Sequence, residues 1–300
     1  MIEPDAPRLG PQRLGRLRRT PRGLPLRAVA PNAVTALALC SGLSGVQFAI
    51  KAKVFENDLQ NVAVERLPQL VETIAWHWQL AVAMIIVAGV LDGIDGRIAR
   101  LLHGESRFGA ELDSLSDAIS FGVSPALILY LWSLGSLPRI GWICALLLAV
   151  FCALRLARFN AKIDESEQPH KSAGFLTGIP APAGAGCAML PMFLWFWTEE
   201  PLFRSPLLVA PWVALIAVLM VSSLATFSWS SLRLRRTVRF EALAVVVLLG
   251  AGIVTAPWHM LTLITGAYLV TIPFSIASYA RIRRQRASVR SEPGSTSPNI

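Results

Sequence analysis

The stretch "LDGIDGRIARLLHGESRFGAELDSLSDAISFG", residues 91–122, places four aspartates, Asp92, Asp95, Asp113 and Asp117, at or beside the ends of apolar segments. Its surroundings are oily. Of 300 residues, 54% are hydrophobic and only 16% are charged, against about 25% charged in an ordinary soluble domain. Apolar runs recur from residue 32 to residue 279. In lipid every backbone polar group must be satisfied within its own segment, so such runs read as helices. The expected fold class is all-α integral membrane, with about eight transmembrane helices.

The spans are expected near 32–51, 76–102, 108–132, 139–159, 178–197, 206–227, 240–256 and 258–279. This divides the chain into a basic tail (1–27), a six-helix core (28–228), two additional helices (229–284) and a disordered tail (285–300). The net charge is +9, but the basic residues flank apolar spans. That is a topology signal, and no nucleic-acid partner is expected. With the N-terminus in the cytoplasm and eight alternating spans, 23 of the 28 Lys and Arg fall inside. Only Lys51, Lys53, Arg66, Arg139 and Arg204 fall outside. Both termini and all four aspartates are then cytoplasmic, in a multi-pass protein of the cell's inner membrane. The first apolar run is followed by no small-residue cleavage site and reads as a retained helix. The basic tail suits an anionic lipid surface.

Other features read as structural. Cys40, Cys144, Cys152 and Cys187 lie inside apolar stretches and behave as small buried hydrophobes. His77, His103, His170 and His259 are scattered and suggest no ligand set. Trp76, Trp78, Trp132, Trp197 and Trp258 sit near span ends as an interfacial belt. Residues 56–73 read as a short amphipathic helix on the outer leaflet, broken near Pro68.

The aspartates are different. A second span of residues 76–102 is roughly 40 Å long, more than the ~30 Å hydrocarbon core. Its last two turns, with Asp92, Asp95 and Arg100, reach the cytoplasmic interface. Asp92 and Asp95 share one helix face, continued by Gly96 and Ala99 with almost no side chain. In the next span Gly109, Asp113 and Asp117 recur every four residues on one face. The loop "HGES" lets the two helices lie antiparallel, so the acidic pairs converge. A carboxylate at the bilayer centre costs about 2.5–3.5 kcal/mol on insertion scales, and less near the interface. Four together repel, and Asp92 and Asp95 lie toward the negative end of a helix dipole. Divalent cations with oxygen ligands, Mg²⁺ or Mn²⁺, remedy this. The bland alternative is a set of solvated acids paired to Arg97, Arg100 or Arg107.

The run Asp92-x-x-Asp95-Gly96-x-x-Ala99-Arg100, eight residues, Gly109, three residues, Asp113, three residues, Asp117 resembles the complete signature of the CDP-alcohol phosphatidyltransferase family. "RLARFN" (155–160), "GIPAPAGAG" (178–186), "FGVSPA" after Asp117, and "PNAVT" (31–35) narrow the likeness to the membrane-embedded bacterial phosphatidylserine synthases. The resemblance covers roughly residues 28–280. It implies transfer of the phosphatidyl group of CDP-diacylglycerol to L-serine, with release of CMP. It further implies a six-helix core, often a homodimer among membrane lipids, with the site open to the cytoplasm.

The resemblance also implies residue roles. Asp92, Asp95 and Asp113 hold two divalent ions, Mg²⁺ or Mn²⁺, with Asp117 sharing one. Asp117 is also the general base toward the serine hydroxyl. Gly96, Ala99 and Gly109 let the CDP moiety lie against the backbone. Arg100 contacts that moiety or locks the aspartates in place. Arg155 and Arg158 are either positive-inside anchors or ligands of the serine carboxylate or a phosphate, and Asn160 is a weaker candidate.

Three rival functions stand beside this one. A same-superfamily enzyme would use glycerol 3-phosphate, inositol phosphate or choline as acceptor. A prenyl-transfer enzyme would cluster its acids as DDxxD or NDxxD. A divalent-cation transporter would place polar residues near the midplane and on both sides of the membrane.

Overall fold

The computed structural model describes residues 26–61, 63–102, 104, 106–163, 175–222, 225–227 and 239–290. The basic tail, apart from the helical residues 26 and 27, and the last ten residues lie outside them, as do His103 and His170. The protein is an all-α membrane protein. Its only strands among the described residues are β1 (Phe175–Thr177) and β2 (Ala225–Phe227), which pair antiparallel.

The framework is a hairpin of two long helices, α1 (Leu26–Asp58) and α2 (Leu67–Leu102). Small residues bring them together. Ala38, Ser41, Gly45, Ala49 and Ala52 of α1 recur at helical spacing and are buried, as are Ala81, Val82, Ile85 and Ala88 of α2, and Gly45 meets Ala81, Met84 and Ile85. A Cβ on Gly45 would lie 2.8 Å from the carbonyl oxygen of Ala81, so only glycine fits this crossing. Ser41 donates to the Met84 carbonyl at 2.8 Å. Lipid tails are as apolar as leucine, so this close backbone approach, and not hydrophobic expulsion, holds the pair.

The third expected span is one helical rod with a flaw in it. Helix α3 (Arg107–Asp117) passes through a π turn (Ala118–Val123) into α4 (Ser124–Trp132). Pro125 has no N–H to offer the carbonyl four residues back, which favours the wider turn there. Ser116 and Ser120 donate to the carbonyls of Thr35 and Ala38, pinning the rod to α1.

Helix α5 (Ile140–Ile163) packs on the π turn and on α9 (Pro206–Val221). The expected fifth span is two helices, α6 (Ala181–Ala188) and α7 (Leu190–Thr198). Pro191 cannot serve the Cys187 carbonyl, and Trp212 Nε1 donates to it instead at 2.9 Å. Gly178, at φ +74°, makes the left-handed turn before α6. After the single turn α8 (Pro201–Arg204) and α9 come α10 (Arg239–Thr255) and α11 (Pro257–Arg290).

Among the described residues, four helical stretches, Val29–Asn61, Val64–Leu102, Arg107–Trp132 and Ile140–Ala161, are long and apolar enough to cross a bilayer. Their outward faces carry Leu37, Leu43, Ile50 and Val54 on α1, and Ile143, Leu146, Val150 and Leu154 on α5, all exposed. Such stripes suit lipid tails and would be unsustainable in water.

Several expectations are corrected. The outer amphipathic helix does not form. α1 continues to Asp58, two 3₁₀ turns (Leu59–Asn61 and Val64–Arg66) make the bend, and Pro68 sits at the start of α2, where a missing N–H costs nothing. Residues 285–290 belong to α11 and not to a disordered tail. Cys40 faces outward, whereas Cys144, Cys152 and Cys187 are buried.

Trp78 and Trp132 are not belt residues either. At 0% and 2% exposure they pack around Arg204, whose guanidinium carbon is 5.8 Å from each ring centroid and 5.4 Å from that of Trp195. Arg204 pairs with Glu56, which also accepts from Trp78 Nε1 and Lys53. Arg204 Nε donates to the Trp132 carbonyl, and Ser133 donates to the Arg204 carbonyl. The network ties α1, α2, α4 and α8 together at the end far from the aspartates. Removing the cation strands a mostly buried carboxylate. Arg204→Ala is therefore expected to destabilise the protein by roughly 2–3 kcal/mol, a little below a fully buried pair. Thermal unfolding in detergent checks this; an unchanged midpoint would show the network to be dispensable.

Candidate active site

The last three turns of α2 and the three turns of α3 face one another beside the N-terminal part of α1. The intervening loop ends on Ser106, whose hydroxyl caps α3 by accepting from the Gly109 N–H at 3.0 Å. This fixes the entry of α3 and with it the height of Asp113 and Asp117.

Carboxylate oxygens of Asp92, Asp95 and Asp113 all lie within 4.8 Å of one another. Asp117 faces Asp92 at hydrogen-bonding distance. Two carboxylates so close repel unless a proton or a cation lies between them. Among the described residues no Lys or Arg forms an ion pair with any of the four. The reading of solvated, Arg-paired acids therefore does not describe this cluster. The donor set is hard oxygen throughout, partly buried, and without an ion-paired Lys or Arg among the described residues. It fits a divalent metal site of the Mg²⁺ or Mn²⁺ type.

Asp95 is 4% exposed and is held by α1. The Thr35 hydroxyl lies 2.6 Å from Asp95 Oδ2 and 3.1 Å from the Pro31 carbonyl, and the shorter carboxylate contact takes the hydrogen. A cleft of about 310 Å³ opens next to Asp95 and Asp113. Gly96, Ala99, Arg100 and Gly109 line it, with Asn32 and Thr35 from α1. A Cβ on Gly96 would meet nothing within 4 Å, so this glycine leaves room for something other than protein. Gly109 lines the cleft and also makes room for Asn32, whose Oδ1 would lie 2.9 Å from a Cβ there. Arg100 does not lock the aspartates. Its Nε donates to the Gly96 carbonyl at 3.0 Å and its side chain edges the cleft.

The structure separates the two arginines of "RLARFN". Arg155 is half-buried and faces Asp117. Arg158 is exposed and donates from Nη1 to the Val221 carbonyl at 3.2 Å, joining α5 to the end of α9. Asn160 donates to Ser114 at 2.8 Å, joining α5 to α3. Thr35, Asn32 and Ser106 were not singled out as site residues from sequence. A signal existed for the first two: polar residues three apart at the head of an apolar helix share a face.

The comparisons with known proteins agree with this geometry. Residues 28–224 match the family model described as CDP-alcohol phosphatidyltransferase, and residues 238–273 match one described as CDP-alcohol phosphatidyltransferase 2. A Mycobacterium bovis protein named CDP-diacylglycerol–serine O-phosphatidyltransferase is 36% identical over 257 residues, 86% of this chain and 81% of the relative. A Mycobacterium leprae protein of that name is 34% identical over 248 residues, 83% and 74% of the two chains. One from Helicobacter pylori is 34% identical over 202 residues, 65% and 79%. With the carboxylate cluster, the adjoining cleft and this match in hand, the chain belongs to the CDP-alcohol phosphatidyltransferase family.

Proposed function

We propose that this protein transfers the phosphatidyl group of CDP-diacylglycerol to L-serine, giving phosphatidylserine and CMP. The observation that carries the reading is the convergence of Asp92, Asp95 and Asp113 within 4.8 Å beside a cleft that Asp95, Asp113 and Gly96 line. The names of the relatives supply serine as acceptor.

Asp92, Asp95 and Asp113 would hold two divalent ions, Mg²⁺ or Mn²⁺, with Asp117 sharing one. When bound, such ions neutralise the diphosphate and the charge that develops on departing CMP. The chain's own residues do the rest. The cleft seats the cytidine diphosphate against Gly96, Ala99 and Gly109, with Arg100 at its edge. Asp117 accepts the proton of the serine hydroxyl as that oxygen attacks the phosphorus on the diacylglycerol side. The new P–O bond forms, the bond to the CMP oxygen breaks, and CMP leaves as an anion. Thr35 keeps Asp95 oriented throughout. Arg155, beside Asp117, is placed to bind the acceptor, whereas Arg158 holds two helices together.

We carry the remaining assignments in the same proposal. The core spans 28–228 with six crossings, and α10 and α11 add two. Both termini and the site face the cytoplasm, in the inner membrane, and the working form is a homodimer.

The test is serine-dependent CMP release by purified protein with CDP-diacylglycerol and labelled L-serine, with and without Mn²⁺ or Mg²⁺. Labelled phosphatidylserine formed only with metal is the expected result. Release with glycerol 3-phosphate, inositol phosphate or choline instead would reassign the acceptor, and ion flux in liposomes without CMP would remove the enzyme reading. Gly96→Val adds bulk where a Cβ meets nothing within 4 Å. It should leave the melting temperature alone and raise the apparent KM for CDP-diacylglycerol at least about tenfold. An unchanged KM would move the nucleotide out of this cleft.

A further inference from the structure

Two buried donor groups, one on α5 and one on α11, have no partner. Arg155 Nε and the Tyr268 hydroxyl are both shut off from solvent and neither meets a hydrogen-bonding atom. They belong to one cluster, because Asp117, Cys152 and Tyr268 are the ionisable groups that face Arg155. Native structures keep few unpartnered buried polar atoms, and those they keep ask for an explanation.

Tyr268 arrives from far along the chain. α11 turns Thr262, Thr265, Tyr268 and Ser275 to one side, and Thr262, Thr265 and Ser275 are at most 9% exposed. That side packs on α6 and α7. Gly186 of α6 faces it, and a Cβ there would lie 4.0 Å from Thr265 Oγ1, an ordinary contact. α6 and α5 in turn touch the π turn that follows Asp117. The last helix thus brings a phenol toward Arg155, and the lining of the nucleotide cleft includes neither residue.

We infer that Tyr268 and Arg155 together form a subsite for the carboxylate of the acceptor amino acid, and that Tyr268 is a specificity-determining residue. This rests on the serine reading above. A guanidinium offers a planar pair of donors and a phenol a third, which is the complement of a carboxylate. L-Serine carries its carboxylate a few bonds from its hydroxyl. Anchoring the one at Arg155 and Tyr268 turns the other toward Asp117. It would also give α11 a purpose in an enzyme whose nucleotide site is complete without it.

The experiment compares L-serine with L-serinamide, which replaces the carboxylate by a neutral amide, using full-length protein in detergent. Wild type should prefer L-serine strongly. In Tyr268→Phe that preference should fall about tenfold or more, the loss expected for one hydrogen bond to a charged group. The fall should come through a raised KM for L-serine, with the KM for CDP-diacylglycerol and the melting temperature unchanged. A merely structural role would lower both acceptors alike, so an unchanged ratio overturns the subsite. A second arm needs no variant: wild type that uses ethanolamine, which lacks the carboxylate, as well as L-serine also overturns it. If CMP release depended on another alcohol, the serine reading would fail on wild type alone. The subsite would survive only if that alcohol carried an anionic group and its KM rose in Tyr268→Phe, and would be overturned otherwise.

Discussion

Asp117→Asn is expected to lower serine-dependent CMP release by about 10³–10⁴-fold, the contribution of a positioned general base together with a shared metal ligand. The amide keeps the shape of the side chain and accepts a hydrogen bond, but it cannot take up the serine proton. Asp92, Asp95 and Asp113 still form their triad in the variant. CDP-diacylglycerol should therefore still bind when metal is present, and binding and turnover should separate. Equilibrium binding of CDP-diacylglycerol and a CMP release assay, run on the same preparation, check both halves. Release within tenfold of wild type would remove Asp117 as base and leave it as a metal ligand only.

The second large effect concerns the triad. Asp113→Asn removes one of three converging carboxylates, and Asp113 also lines the nucleotide cleft. Outer-shell partners of a metal commonly change its affinity by about 10–100-fold, so loss of a direct ligand should exceed about 100-fold. Wild-type protein should show a Mn²⁺-dependent rise in melting temperature, since a ligand bound only to the folded state stabilises it. In Asp113→Asn that rise should vanish at the same metal concentration, and activity should become undetectable at metal levels that saturate wild type. The thermal readout is independent of substrate. A full Mn²⁺-dependent shift in the variant would place the metal elsewhere.

Much of the site was legible in the sequence because charge in an oily chain is conspicuous and helical spacing is local. Asp92 and Asp95 three apart, and Gly109, Asp113 and Asp117 four apart, define faces without any knowledge of neighbours. The glycines were legible as a class but not individually. That Gly96 opens on empty space while Gly109 relieves a contact with Asn32 depends on a helix more than sixty residues earlier. The two arginines of "RLARFN" were equivalent on paper. Rotation of α5 against the π turn put Arg155 beside Asp117 and sent Arg158 to the Val221 carbonyl.

The outer tryptophans were misread for a related reason. Trp78 and Trp132 stand near span ends, where interfacial aromatics are common. What buries them is Arg204, which counted in sequence as one of a few outside cations. Only folding brings it 5.8 Å from both rings and onto Glu56.

The sequence by itself determined the solvent of this protein, its helical class and the acidic quartet at the end of two helices. Each follows from free energies local to a segment: the cost of unsatisfied backbone in lipid, the cost of charge there, and the helical repeat. Tertiary structure alone decided which helices are neighbours, and so that Thr35 grips Asp95 and that Tyr268 stands beside Arg155. In a bilayer no hydrophobic force sorts one apolar helix from another. Pairing is settled by small-residue approach and a few buried hydrogen bonds, whose partners lie tens of residues apart.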